Sequence, residues 1–393
     1  LKILHTSDWH LGQNFMGKSR QEEHFKFFDW LYEVIVSQSV DVLLVSGDIF
    51  DTGTPPNYAL ELYYNFLTKL STISNLHTII TAGNHDSIAT LKAPKQLLKA
   101  LNIHVIISGD TDEDIIIPIC KDSNLLGVVC AVPFLRDSVI RQSFGGETYA
   151  NKEKLTNEGI KAYYKKTYEK AKKLSSNAPI IAMGHLTTIG GKTSESERDI
   201  YIGGTLDIGG DYLGALFDYV ALGHLHTNQA VGYEHVRYSG SPLPLSFSEA
   251  KSTKKVNLIT ITNSVEVEEL EVPLFRKLQV IKGDLNTIKD ELKRCSDKTA
   301  WIEVQLRDDN PMFANNQIRE LASKLDLTLL ALKIEKSDKP LSAKELNAIS
   351  LEELSVYDVF EKRVELEKIE SDMLKKQLFQ TFQEVVENIH SRE

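Results

Sequence analysis

The sequence predicts an α/β protein with a second, small α/β module and a helical C-terminal end. Three observations carry that expectation. Apolar, β-branched runs alternate with segments of helical periodicity up to about residue 270. The alternation then resumes in a compact form between Lys277 and Lys336. Two segments with apolar residues on one helical stripe close the chain.

Five runs in the first part share one design. Ile3 to His10 (ILHTSDWH), Val42 to Asp51 (VLLVSGDIFD), His77 to Asp86 (HTIITAGNHD), Ile180 to His185 (IIAMGH) and Tyr219 to His226 (YVALGHLH) each read as a buried strand followed by a tight turn. Each turn carries Asp, Asn or His. Glycine precedes Asp48, Asn84, His185 and His224, so the backbone can turn sharply there. Helical spacing follows in Arg20 to Gln38, with Phe27, Leu31, Val34 and Ile35 on one face, and again in Tyr58 to Leu70 and Ala93 to Leu101. Strand, helix, strand order places ligands outside the carboxyl ends of strands, so the five turns are expected to converge on one mouth.

A helix is predicted over Glu153 to Leu174, rich in lysine and carrying Tyr163, Tyr164 and Tyr168. A solvated amphipathic face explains it better than a DNA-facing stripe. Val231 to Val272 reads as further strands. The small module is predicted as LQVIKG, a helix over Leu285 to Lys293, WIEVQL, a helix over Ala314 to Leu325, and TLLALKI. A polar stretch with Pro340 follows and reads as a linker. Ser350 and Glu353 form a capping box before a helix with Leu354, Val359, Phe360 and Val364, and a second helix carries Leu374, Leu378, Phe382, Val385 and Ile389. The expected division is 1–274, 275–337, a linker over 338–349, and helices over 350–393.

Composition bounds the function. The 393 residues are 42% hydrophobic and 25% charged, as in an ordinary globular protein. Three cysteines, Cys120, Cys130 and Cys295, form no CxxC pair, which argues against a disulfide framework or structural zinc and fits a reducing cytosol. No charged and apolar leader opens the sequence and no apolar run approaches a membrane span, so neither secretion nor a membrane partner is expected. The net charge of −10 excludes a surface coated in positive potential. A nucleic-acid substrate stays open, because bound cations dominate their surroundings.

Asp8, His10, Asp48, Asn84, His85, His185, His224 and His226 form a mixed nitrogen and oxygen set suited to divalent cations of intermediate softness. One ion rarely needs so many ligands. Two ions side by side would clamp the attacking and leaving oxygens of a phosphoester. One such residue after a strand is more often a turn former, but five strand-turn sites in order are not. His85 follows Asn84 directly, where a further ligand would crowd the site; it is assigned to positioning the scissile phosphate or protonating the leaving 3′ oxygen. Asp51 and Asp86 either orient imidazoles or stabilise their own turns. GGKT at Gly190 to Thr193 is not a phosphate-binding loop, since the required leading glycine falls at Leu186. His5, His77, His104 and His235 are expected in packing or on the surface.

The series DWH, GDIFD, GNHD, GH and GHLH resembles the calcineurin-like metallophosphoesterase superfamily. The longer phrases KILHTSDWHLGQNF, VSGDIFDTGTPP, GNHDSIATL, GHLTTIGG with RDIYIGGTLD, and HVRYSGSPLPLSF, with LSVYDVF near the end, resemble the SbcD family of bacterial nuclease subunits. That resemblance implies a two-sheet β-sandwich flanked by helices, with a cap and a tail. It implies Asp8, His10 and His226 on one metal, Asn84, His185 and His224 on the other, and Asp48 bridging. Manganese is the implied ion and magnesium a poorer substitute. The implied partners are DNA, an SbcC-type ABC ATPase with a coiled coil that receives the tail helices, and a second copy of the chain within a heterotetramer. The implied activity is 3′-to-5′ exonuclease and endonuclease action on double-strand ends, hairpins and blocked ends, ATP-dependent through that ATPase. The setting would be DNA repair, recombination and replication at the nucleoid in the cytoplasm. The rival activity is a phosphomonoesterase or protein phosphatase on the same scaffold. Such phosphatases commonly carry Arg after the second Asp of GDxxD, whereas Thr52 and Gly53 follow Asp51 here. A non-catalytic scaffold is the third reading, opposed by the full complement of competent ligands.

Overall fold

The computed structural model describes residues 1–92, 95–109, 115–140, 149–175, 177–193, 197, 208–308 and 311–334, together with 360, 363, 364, 375, 378, 379, 381 and 382. Two six-stranded sheets stack face to face. In the first, four parallel strands run in the order Lys2–Thr6, Val42–Ser46, His77–Thr81 and Ile103–Ile106. The antiparallel hairpin Lys255–Ile261 and Val265–Glu271 extends that sheet beside Lys2–Thr6. In the second, Tyr219–Gly223 lies between Ile180–His185 and Tyr233–Tyr238, parallel to both. Asn124–Ala131 and the antiparallel Ile116–Lys121 complete one side, and Gln229–Val231 the other.

The near-continuous apolar runs of the sequence follow from this layering, because strands covered on both faces have no solvent side. Ile3, Leu44, Ile79, Val129, Met183, Ala221 and Ile259 fill the space between the sheets. The outer face of the first sheet is covered by helices Gln21–Ser37 and Asn57–Leu70, through Phe27, Leu31, Tyr63 and Leu67. Helix Tyr149–Leu174 covers the second. Its tyrosines serve packing: Tyr164 is buried and donates to the Met183 carbonyl at 3.2 Å, and Tyr163 donates to that of Gly109 at 3.0 Å. Within the predicted helix over Ala93 to Leu101, Lys95–Lys99 is helical, and a separate short helix, Ile88–Lys92, lies before that span.

The strands Leu278–Gly283, Trp301–Leu306 and Thr328–Ile334 form a separate parallel sheet. Helices Leu285–Arg294 and Pro311–Lys324 cover it around Ile288, Leu292, Val304 and Ile318. Asp284 caps the first of these helices by accepting from the Thr287 amide at 2.8 Å. The module meets the larger unit where Trp301 and Leu278 pack on Phe15 and Phe247. The linker 338–349 lies outside the described residues, as does most of 350–393. Phe360 and Phe382 are helical, and their rings stack at 3.9 Å, so the two apolar stripes meet each other at that point. No helix among the described residues is long and apolar enough to cross a membrane.

Candidate metal centre

Five strand ends do meet at one mouth. Asp8, His10 and Asp48 adopt positive φ of 51°, 46° and 49°, a conformation that L residues rarely hold without compensation, and His224 has φ 100°. Backbone bonds hold these turns: the Asp8 amide donates to Gly47 O at 3.0 Å and the His10 amide to Asp48 O at 3.1 Å. Gly47, at φ +85°, has room for no side chain, because a Cβ would overlap the His185 ring.

Two buried triads result. Asp8, His10 and His226 bring three donor atoms within 4.8 Å of one another, and so do Asp48, His185 and His224. Asp48 stands between them: its Oδ2 is 3.3 Å from His185 Nε2 and 3.9 Å from His10 Nε2. Asn84 joins the second group, with Oδ1 at 2.9 Å from His185 Nε2. His10 and His226 rings approach to 5.2 Å, and His185 and His224 rings to 5.4 Å.

Partners on the far side of each ligand fix its direction. His185 Nδ1 donates to the Ser46 carbonyl at 2.9 Å, turning Nε2 to the mouth. His10 Nδ1 faces Asp51 Oδ1 at 3.1 Å. Asp8 accepts from Ser7 Oγ at 2.6 Å and from the His224 amide at 3.0 Å. Half-buried His85 stands at the edge, its ring 5.0 Å from that of His10. Asp86, expected either to orient an imidazole or to stabilise its turn, does the second. Its carboxylate accepts from the amides of Gly83 at 2.8 Å, Phe50 at 3.0 Å and Ile49 at 3.1 Å, and so ties the GNHD turn to the GDIFD turn.

The buried carboxylates and imidazoles of the site titrate far from their ordinary ranges. Burial pushes the Asp8 carboxyl up to about 7. Burial acts on Asp48 in the same sense, but the neighbouring His185 and His85 outweigh it and hold that carboxyl well below its usual range. Burial would lower His10 and His185, yet Asp51 and Asp48 raise the first to about 9 and Asp48 raises the second to about 9. Burial drives His224 down to about 3 and His226 well below the ordinary imidazole range, leaving both neutral with lone pairs to give. His10 Nε2 is buried without a hydrogen-bond partner. An orphaned imidazole nitrogen, two neutral imidazoles and two buried carboxylates fit a pair of divalent ions.

The motifs gave no sign of the residues under His226. Lys254 and Glu249 are buried there as an ion pair at 2.5 Å, and Glu197 accepts from the His226 amide at 2.6 Å. His5 and His24 are also fully buried, the first on Tyr219 Oη at 2.9 Å and the second on the Trp9 carbonyl at 3.0 Å.

A two-sheet sandwich with paired Asp and His triads at its strand ends defines a metallophosphoesterase, and the calcineurin-like phosphoesterase family matches residues 1–228. Residues 274–368 match the family described as type 5 capsule protein repressor C-terminal domain. The SbcD subunit of the nuclease SbcCD from Escherichia coli strain K12 is 39% identical over 380 residues, covering 94% of this chain and 94% of that protein. The proteins of the same name from Bacillus subtilis strain 168 (32% identity, 78% of this chain and 79% of that one) and Rhodobacter capsulatus (31%, 84% and 85%) are also similar. The chain belongs to the SbcD family within the calcineurin-like phosphoesterases.

Proposed function

We propose that this chain is the metal-dependent nuclease component of a two-part machine, hydrolysing DNA phosphodiesters as a 3′-to-5′ exonuclease and as an endonuclease on hairpins and blocked ends. The observation that carries it is Asp48 standing between two triads, 3.3 Å from His185 and 3.9 Å from His10. Asp8, His10 and His226 would hold one ion and Asn84, His185 and His224 the other, with Asp48 shared. The ions are manganese, with magnesium a poorer substitute. When bound, the pair supplies an activated water and neutralises charge at phosphorus. Asp51 keeps His10 aligned, and His85 positions the scissile phosphate or passes a proton to the leaving 3′ oxygen. Thr52 and Gly53 offer no guanidinium for a terminal phosphate dianion, which favours a diester over a monoester.

The division at residues 274 and 275 follows from this role, with the small module as a cap that selects the DNA form and residues 350–393 as the tail that grasps an SbcC-type ATPase. The names of the similar proteins support that partnership, and ATP dependence would enter through the partner. A second copy would pair through the helices near Tyr58 to Leu70 and Ala93 to Leu101. The reading fits a cytoplasmic, nucleoid-associated role in repair, recombination and replication.

The test compares the purified chain with Mn²⁺, Mg²⁺ or chelator on hairpin DNA and on a phosphomonoester, beside Asp48→Ala. Cleavage of DNA that needs Mn²⁺ and Asp48 is the expected result. Monoester turnover with no DNA cleavage, even after the ATPase is added, would establish the phosphatase instead.

A further inference from the structure

Below His226 lies an ion pair that the reaction itself does not use. Lys254 is 8% exposed and Glu249 4%, and Lys254 Nζ lies 2.5 Å from Glu249 Oε2. A buried pair of this kind brings little net stability, so what it holds matters more than what it contributes. Nζ also donates to the His226 carbonyl at 3.1 Å and to Ser241 Oγ at 2.9 Å, which employs all three ammonium hydrogens. The same carbonyl accepts from the Ser241 amide at 3.2 Å. Glu249 accepts in turn from the Leu245 amide at 3.2 Å. The segment Ser241 to Glu249 is thereby bound to the backbone of a triad imidazole.

Its other side meets the three-stranded module. Phe247 packs with Phe15, Leu278 and Trp301, the Phe15 ring lying 5.3 Å from Phe247 and stacking on Trp301 at 5.3 Å. The Pro244 carbonyl accepts from Arg20, which is fully buried and has its guanidinium 5.8 Å from the centre of the Trp301 ring. Arg276 stands over that ring at 4.8 Å and pairs with Glu23 at 3.2 Å. One short segment thus touches both the cap seat and the backbone of His226.

We propose that Lys254 is a positioning residue for His226, and that the Ser241 to Glu249 segment passes the seating of the three-stranded module on to that imidazole. The inference rests on His226 being a metal ligand. Metal–ligand distances keep within about 0.2 Å of their preferred values, so a carbonyl released beneath the ring is expected to be read as lost affinity. Losing the Trp301 contact frees Phe247 and Pro244 and slackens the same carbonyl from the other end.

Mn²⁺ binding to the full, metal-free chain tests this, with free Mn²⁺ followed by electron paramagnetic resonance. Lys254→Met is expected to weaken one of the two ions by about tenfold or more and to leave the other unchanged. Ser241→Ala, which keeps the ion pair and the core, should weaken the same ion by about threefold, and so should Trp301→Leu. If Lys254→Met does not fold, Ser241→Ala carries the test. Wild-type affinity for both ions in the Lys254 and Ser241 variants would overturn the positioning role. Unchanged affinity in Trp301→Leu would overturn the transmission. His226→Ala is expected to bind one ion fewer; two ions held at wild-type affinity in that variant would instead overturn the ligand reading beneath it.

Discussion

The backbone carbonyl of Asp51 accepts a hydrogen bond from Nδ1 of His85 at 2.7 Å. A carbonyl cannot donate, so the proton sits on Nδ1, and Nε2 is the nitrogen that can exchange one. The Asp51 carboxylate meanwhile faces His10 Nδ1 at 3.1 Å. One residue therefore orients two imidazoles with two different groups, one through its side chain and one through its main chain.

His85→Ala is expected to retain both ions and to lose about 10²- to 10⁴-fold in the rate of DNA cleavage, the usual range for a lost proton-transfer or positioning group. Metal stoichiometry and single-turnover cleavage measured on one preparation check it. Undiminished cleavage would remove His85 from the mechanism. Asp51→Ala should slow the reaction through His10 while leaving the His85 contact, which uses only backbone.

Asp48→Ala and Asn84→Ala separate a shared ligand from an unshared one. The first should disturb both ions, the second only the ion near His185. Calorimetric titration with Mn²⁺ reads the difference. Equal effects of the two substitutions would count against a bridging Asp48.

Gly83→Ala tests the close approach of the GNHD turn to the GDIFD turn. A Cβ there would overlap Asp48 Oδ1 and also the Asp48 amide nitrogen, which is backbone and cannot swing aside. A loss of about 1–3 kcal/mol in folding stability is expected, as for overpacked cores generally. Metal affinity should fall with it. Urea unfolding of the metal-free chain gives the first quantity.

His24, bonded to the Trp9 carbonyl, supplies a pH test at a residue that is not itself a ligand. Burial, aided by the charge of Arg20, holds its imidazole at about 3 in the folded chain, against 6.5 when unfolded. Below pH 6.5 the unfolded chain takes up the extra proton first, so stability falls as the medium is acidified. The slope from this one group approaches about 1.4 kcal/mol per pH unit. The stability difference between the native chain and His24→Gln should therefore shrink between pH 7 and pH 5. A difference independent of pH would show that His24 takes up its proton equally in the folded and the unfolded chain, against a depressed imidazole.

Much of this centre is legible in the sequence because each part is local. An apolar run followed by glycine and Asp, Asn or His states both a buried strand and the turn that ends it, as in VLLVSGD and IIAMGH. Resemblance added the pairing into two triads. Asp86 could not be decided in this way: orienting an imidazole and clamping a turn call for the same residue at the same position. Its choice of three backbone amides depends on where Ile49 and Phe50 lie in space.

The sequence by itself determined the layered α/β class, the five turns and the identity of the candidate ligands, since strand burial and turn chemistry act over a few residues. Only the tertiary structure decided that Lys254 and Glu249 support His226, that Asp51 serves two rings, and that Arg20, Phe247 and Trp301 join the small module to the site. Those contacts link residues up to 286 positions apart, as Phe15 and Trp301 are. No local period records them, because the packing that brings such residues together is a property of the whole sandwich and of no single strand.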